Sequence, residues 1–308
     1  MAPAREATPV KRVGFVGLGT MGWPMFRHIV GKREEAGLET VLGFDRAEIA
    51  NDDGPAIAAL APSLRELVAA VDAVHLCLPG GDELEEICRG DGGLLASVRP
   101  GQVVVDHGTS PVPLTRKLAD AFVEKDVVFV DAPITRTRAA AESGTLIVLF
   151  GGDARTLERV RPAIDCFSEE IVHCGPLGAG QMVKQLNNMV LFQTVAALSE
   201  ALSTARANGL DGDALFDALE KGSADSFALR NHGRKALLSG DFPERAFATR
   251  YALKDLAYAI ELAESAGIGL QQAETTRRLF EDAIEAGDGE KYFPVILNRY
   301  GAVPDSNR

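Results

Sequence analysis

Cysteine is scarce in this chain, and the little there is lies apart. Cys77, Cys88, Cys166 and Cys174 form no Cys-x-x-Cys pair and have no histidine at zinc-finger spacing. That excludes a small disulfide-stapled fold and a zinc module, and it reads as four reduced thiols in a cytoplasmic protein. His28, His75, His107, His173 and His232 are too scattered to suggest a metal cluster, so no metal is expected. Excess basic charge is missing too. With 32 Lys and Arg against 44 Asp and Glu, the net charge is −12, the wrong sign for a nucleic-acid-binding face. No apolar run reaches the roughly 18 residues that a membrane-crossing helix needs. Met1 to Lys11 has no apolar core of the signal-peptide kind; rich in Ala and Pro, residues 1–11 read as a frayed end. Internal repeats and low-complexity tracts are absent.

What is present is a chain of 308 residues, 46% hydrophobic and 25% charged, which is more than one ordinary core holds and fits two domains. Short apolar runs punctuate the first half: Val13 to Val16, Thr40 to Phe44, Ala73 to Leu78, Val103 to Val105, Val127 to Val130 and Leu146 to Phe150. Each is closed by Gly, Pro or Asp. Uninterrupted apolar strands suit a sheet covered on both faces. Amphipathic stretches between them, such as Leu114 to Lys125, complete an alternation that predicts α/β architecture with a doubly wound parallel sheet. The pattern changes after Gly175-Pro176-Leu177-Gly178. A long helix is expected over about 179–208, stopped by Gly209. Helical spacing follows at Leu215 to Lys221, Arg250 to Ala266 and Gln271 to Ala286, with a weaker segment at Val295 to Tyr300. The expected organisation is a dinucleotide-binding Rossmann domain at 12–176 and an all-helical domain at 177–308, joined by the long helix.

Gly17-Leu18-Gly19-Thr20-Met21-Gly22 follows the first strand and opens a helix. In this context the first Gly permits the tight turn, the second lets a pyrophosphate approach the backbone, and the third lets helix and strand pack closely. The phosphate then lies on the helix N-terminus. Asp45 ends the second strand, where a carboxylate accepts hydrogen bonds from the ribose hydroxyls of NAD. Arg46, next to it, is placed to pair with the 2′-phosphate of NADP instead. The acidic position usually decides, so NAD is expected, with NADP possible.

With that turn in place, the chain resembles the β-hydroxyacid dehydrogenase family, which includes 3-hydroxyisobutyrate dehydrogenases and tartronate semialdehyde reductases. The resemblance runs from Val13 to about Tyr300 with its pieces in order. Gly17 to Gly22 with Trp23-Pro24-Met25 looks like the cofactor signature, and Leu78-Pro79 like the strand end against the dinucleotide. Asp106-His107-Gly108-Thr109-Ser110-Pro111 looks like the loop whose Thr lies near nicotinamide. Asp131-Ala132-Pro133, Gly144-Thr145-Leu146 and Gly151-Gly152 frame the substrate signature. Gly178 to Asn188 looks like the catalytic helix, and Lys254-Asp255-Leu256 like the C-terminal motif that reaches the site.

The resemblance implies that Lys184 is the proton-transfer residue, that Asn188 binds substrate, that Lys254 lies near the nicotinamide, and that Asp255 and Phe247 help form the substrate site. Chemistry agrees: a lysine can give a proton to a developing alkoxide once desolvation or nearby positive charge destabilises its ammonium. Lys184 and Asn188, four residues apart, share one helix face. A lone helix lysine is usually solvated, but Met182, Val183, Leu186, Met189 and Val190 make this helix largely apolar. Lys254-Asp255 has a plain alternative as a surface pair, and Phe247 as a core aromatic.

One departure stands out. The family usually follows Asp-Ala-Pro with a hydrophobic residue and Ser-Gly-Gly; here Ile134-Thr135-Arg136-Thr137 replaces both glycines. Thr135 keeps a hydroxyl, Arg136 adds a guanidinium fork suited to a carboxylate, sulfonate or phosphate, and Thr137 closes the segment. This loop resembles the sulfolactaldehyde reductase branch, although Leu191 stands where that branch has Ser. The alternative for Arg136 is an ion pair with Glu142 or another surface acid. The expected enzyme is an NAD(P)-dependent dehydrogenase or reductase acting on a small anionic substrate, a short 3-hydroxy or 4-hydroxy acid and its semialdehyde. The long, mostly apolar helix suggests a surface shared with a second subunit, and the resemblance implies a homodimer or homotetramer. Alternatives are an imine reductase-like enzyme and a non-catalytic dinucleotide-binding interaction protein.

Overall fold

The computed structural model describes residues 10–47, 49, 54–244 and 246–301. Most of the expected frayed end, residues 1–9, lies outside them. The chain divides into two compact units, Met1–Lys184 and Gln185–Arg308. Sequence reading puts the boundary at 176/177; the structure puts the division inside the long helix.

In the first unit the strands are β1 (Arg12–Val16), β2 (Thr40–Phe44), β3 (Ala73–Leu76), β4 (Val103–Asp106), β5 (Val128–Asp131), β6 (Ile134–Thr135), β7 (Leu146–Gly151) and β8 (Ser168–Gly175). Its helices are α1 (Gly22–Gly31), α2 (Gly54–Ala58), α3 (Leu64–Ala70), α4 (Gly81–Arg89), α5 (Leu94–Ser97), α6 (Val112–Val123), α7 (Arg138–Ser143) and α8 (Ala154–Ile164), followed by the start of α9 (Ala179–Ala207). All six expected strands are present. The third stops at Leu76, so Cys77 and Leu78 lie beyond it rather than in a strand interior. β8 was not foreseen.

The sheet order is β2-β1-β3-β4-β5-β7-β6, with β8 on β7. β2, β1, β3, β4 and β5 run parallel, whereas β7 pairs antiparallel with β5 and β6 and parallel with β8. Side chains alternate between the two faces. Val13, Phe15, Ala73, Val103 and Val105 enter one core with Phe26 and Ile29 of α1 and Val160 of α8. Val16, Val74, Leu76 and Val104 enter the other with Leu67 of α3, Leu84 of α4 and Phe122 of α6. Burial on both faces explains why these strands read as unbroken apolar runs. Because β1 lies between β2 and β3, the crossovers leave it in opposite directions. This is the switch point, and the carboxyl ends of the strands there are where open α/β sheets bind ligands.

The second unit contains the rest of α9 and then α10 (Gly212–Lys221), a π-helical segment at Leu229–Leu237, α11 (Thr249–Ser265), α12 (Gln271–Glu285) and a 3₁₀ segment at Phe293–Arg299. Among its described residues no strand forms, only isolated bridges at Glu244↔Lys291 and Ala248↔Tyr292. Its core centres on Phe192, edge-on to Phe280 and Phe293. No described helix is long and apolar enough to cross a membrane.

Candidate active site

The turn after β1 has the form a dinucleotide requires. Gly17 sits at φ +90°, and a Cβ there would come within 2.3 Å of the Cys77 carbonyl. A Cβ on Gly22 would lie 1.8 Å from the Gly17 carbonyl, whereas one on Gly19 would meet nothing within 4 Å. Two of the glycines are therefore demanded by packing, while the middle one faces open space, as it must if a pyrophosphate is to approach the backbone. Leu18 is buried, Gly19 and Thr20 are exposed, and Met21 gives α1 no side-chain cap. With no acidic residue in its first turn, that helix end suits an anion.

Asp45 follows β2. One carboxylate oxygen accepts Leu18 N–H at 2.6 Å and the other Ala47 N–H at 2.8 Å, tying the strand end to the glycine turn. Each oxygen keeps lone-pair capacity for a hydroxyl donor. Arg46 pairs with Glu86 of α4 at 2.7 Å, and both are largely exposed. Leu78 is half-buried and Pro79 exposed just beyond β3, with Gly108 pressed against the Leu78 carbonyl.

Sequence reading quoted the loops after β4 and β5 but gave most of their polar residues no role; the structure joins them. Asp106 and Asp131, both fully buried, end those strands. Asp106 accepts Gly108 N–H at 2.9 Å and Ser110 Oγ–H at 3.0 Å. Asp131 reaches the start of α9, accepting Gly178 N–H and Gln181 N–H, each at 2.7 Å. Burial raises the Asp131 carboxyl above its ordinary value, opposed by those backbone N–H groups. Gln181 links the same helix turn to the β4 loop. Thr109 is half-buried within that loop, and Lys184, also half-buried, follows Gln181 by three residues.

Between the strand ends lies a buried imidazole pair. His107 Nδ1 faces the Ala132 carbonyl at 2.8 Å, and His107 Nε2 faces His75 Nδ1 at 2.8 Å. A carbonyl only accepts, so the proton sits on His107 Nδ1 and His75 donates to His107 Nε2. Both rings stack on Phe15. Burial pushes His107 down to about 4 and His75 well below its ordinary value.

Thr135, half-buried, ends β6, and Thr137, also half-buried, precedes α7. Arg136 between them holds φ +86°, a left-handed backbone that glycine adopts freely and arginine does not. Its guanidinium donates to the Thr145 carbonyl at 2.8 Å and pairs with Glu169 of β8. Glu142, the acid considered from sequence, pairs with Arg138 instead. The strand that sequence reading missed supplies the partner.

In the second unit Asn188, one turn after Lys184 along α9, is buried. Its Nδ2 donates to Asp255 at 2.8 Å, and its Oδ1 accepts from Asn187 at 3.1 Å. Asp255 also pairs with Lys254 at 2.9 Å, and the Lys254 ammonium lies 5.0 Å from the centre of the Tyr258 ring. Asp255 is 5% exposed, so this is not the solvated surface pair that sequence alone allows. Phe247 is half-buried and packs on Phe192 and Phe293. Among the described residues no group of acids, histidines and cysteines can hold a metal. All four cysteines are free, and burial raises each thiol, which disfavours a thiolate nucleophile.

Comparison with known proteins agrees with this layout. A family model described as the NAD binding domain of 6-phosphogluconate dehydrogenase matches residues 12–175. A second, described as NAD-binding of NADP-dependent 3-hydroxyisobutyrate dehydrogenase, matches residues 178–299. The chain is 31% identical to 2-(hydroxymethyl)glutarate dehydrogenase of Eubacterium barkeri, over 93% of each chain. It is also 31% identical to an NAD-dependent L-serine dehydrogenase of Pseudomonas aeruginosa, over 93% of this chain and 97% of the relative. Among solved structures, the 3-hydroxyisobutyrate dehydrogenase of Mycobacterium tuberculosis with L-serine superposes with a TM-score of 0.83 at 30% identity, covering 95% of this chain and 99% of that one. An imine reductase of Myxococcus stipitatus, at 17% identity and a TM-score of 0.60, shares the fold alone.

Proposed function

The chain belongs to the β-hydroxyacid dehydrogenase family, NAD(P)-dependent oxidoreductases acting on CH–OH groups, and we propose that Lys184 moves the proton in a reaction on a short 3-hydroxy acid or its semialdehyde. One observation carries this reading. Asp131 and Gln181 hold the first turn of α9 at the carboxyl ends of β4 and β5, and Lys184 follows Gln181 by three residues on the same helix, which supports a role at the ligand-binding edge of the sheet.

Nicotinamide, when bound, supplies or accepts the hydride at the substrate carbon. The chain's residues do the rest. In reduction the Lys184 ammonium gives a proton to the alkoxide oxygen as it forms; in oxidation the neutral amine takes it back. Gly19 leaves its backbone open to the pyrophosphate, with Gly17 and Gly22 packing the turn that also holds Leu18, Thr20 and Met21; the family resemblance assigns Leu78 and Pro79 to the dinucleotide and Thr109 and Lys254 to its nicotinamide end. Asn188, oriented by Asp255, hydrogen-bonds the substrate. The buried carboxylate of Asp255 fixes the amide, so its direction does not have to be chosen when substrate arrives.

The compounds named for the relatives, 3-hydroxyisobutyrate, L-serine and 2-(hydroxymethyl)glutarate, share a HOCH₂–CH–COO⁻ unit, which supports a 3-hydroxy acid here. Thr135, Thr137 and Arg136 then meet the anionic end of the substrate, and Phe247 keeps the substrate-binding role that the resemblance implies. For Arg136 this requires exchanging Glu169 for the ligand. Asp45 favours NAD. The exposed apolar residues Val183, Leu186 and Val190 on α9 support a homodimer or homotetramer, which light scattering after size exclusion checks.

The deciding experiment is an absorbance screen for NADH and NADPH oxidation with succinic, tartronate and methylmalonate semialdehydes, glyoxylate and sulfolactaldehyde. On the best substrate, Lys184→Ala should lower kcat by roughly 100-fold or more. Retained turnover in that variant refutes the assignment. Arg136→Ala should raise KM while leaving kcat near its original value; an unchanged KM removes Arg136 from the site.

A further inference from the structure

Lys184 can act only if its amine is held in register with the loop carrying Thr109. We propose that Gln181 is the positioning residue that sets this register. The proposal rests on the role given to Lys184 above.

Gln181 is fully buried, and its amide is spent on that loop. Its Oε1 accepts Ser110 N–H at 3.0 Å. Its Nε2 donates to Asp106 Oδ2 at 3.1 Å and to the Gly108 carbonyl at 2.9 Å. One side chain thus grips the loop on both sides of Thr109. On its other side the same helix turn is clamped by Asp131, whose two carboxylate oxygens take the N–H groups of Gly178 and Gln181. There is little slack between the clamps. A Cβ on Gly180 would come within 2.2 Å of the Leu149 carbonyl, and one on Gly151 within 2.4 Å of Asp131. The turn is seated directly on β7 and β5.

Helix geometry carries this constraint to the lysine. Three residues on, Lys184 lies about 4.5 Å further along the axis and about 60° around it from Gln181. Over so short a rigid segment, any shift of Gln181 becomes a shift of Lys184. Replacing Gln181 with Met keeps the volume and removes every side-chain hydrogen bond while leaving the backbone bond to Asp131. Ser110 N–H and the Gly108 carbonyl would lose this partner, and the buried Asp106 carboxylate would lose one of its donors while keeping Gly108 N–H and Ser110 Oγ–H. Such groups recover partners by moving, which separates the loop from the helix turn.

The test compares wild type with Gln181→Met, Lys184→Ala and Leu118→Ala, the last a core truncation on α6 that lowers stability away from this network. In ligand-free protein, hydrogen exchange of the segment containing Ser110 should speed up in Gln181→Met alone. NADH affinity, followed by fluorescence, should hold, while kcat on the best substrate of the screen falls roughly 100-fold. The kcat–pH profile should move in the same variant. Leu118→Ala should keep both kcat and the profile. Undiminished protection at Ser110 overturns the proposal whatever turnover does. So does full kcat in Gln181→Met where Lys184→Ala is inactive, or an equal loss in Leu118→Ala. Full turnover in Lys184→Ala defeats the functional reading itself, and this proposal with it.

Discussion

Acid should destabilise this protein through two histidines that take no part in the chemistry. His75 and His107 are 0% and 1% exposed and share one hydrogen bond. His75 Nε2 has no hydrogen-bond partner among the described residues. Protonating His107 would put an N–H on Nε2 directly opposite the His75 N–H, in a site closed to solvent. Burial therefore holds His107 at about 4, against an ordinary value of 6.5. The sign follows from linkage. Above pH 6.5 neither folded nor unfolded chain carries the proton, and the full stability is present. Between 6.5 and 4 the unfolded chain takes it and the folded chain does not, so stability falls as pH falls. For His107 alone the loss is about 2 kcal/mol at pH 5 and about 3 kcal/mol at pH 4. His75 adds to it in the same direction. His107→Gln supplies one donor for Ala132 and one acceptor for His75 in a group that never titrates. Urea unfolding at intervals from pH 7.5 to 5 measures the effect. The variant's stability should vary with pH by about 2 kcal/mol less than wild type over that range, whatever its stability at pH 7.5. The same slope in both proteins would refute the argument that buried neutral imidazoles set it.

Three further outcomes follow. Gly19→Ala should fold as wild type and weaken NADH binding at least tenfold, because its methyl enters the open side of the turn; Gly22→Ala should lose stability, its Cβ lying 1.8 Å from a carbonyl. Titration of NADH fluorescence beside thermal melts separates the two. Arg136→Gly should be more stable than Arg136→Ala by about 1 kcal/mol in urea, since both lose an exposed ion pair but only glycine is at ease at φ +86°. Asp45→Ala should lower the ratio of kcat/KM for NAD over NADP by losing the ribose acceptor, and an unchanged ratio would remove Asp45 from cofactor choice.

Legibility in the sequence followed the range of the interactions. β1, β3 and β4 were readable because each strand is buried on both faces, which forces a continuous apolar run. β8 was not. It carries Glu169, Glu170 and His173, has no buried residue, and owes its existence to pairing with β7. The helix around His232 was missed for a similar reason: Leu229–Leu237 is polar, contains Gly233, and winds as a π-helix with His232 bonded to Tyr292.

Sequence alone determined the glycine turn, the alternation of strand and helix, the long helix and the place of Lys184 on it. Each of these leaves a local signal along the chain, in turn residues, periodicity or an apolar run, even where the packing that requires it is distant. Only the tertiary structure decided the partners of the polar groups. Gln181 meets Asp106 across 75 positions, Asn188 meets Asp255 across 67, and Arg136 reaches Glu169 rather than Glu142. Buried donors and acceptors must be matched somewhere, but which ones meet is set by sheet order and helix packing, and no local pattern along the chain encodes those.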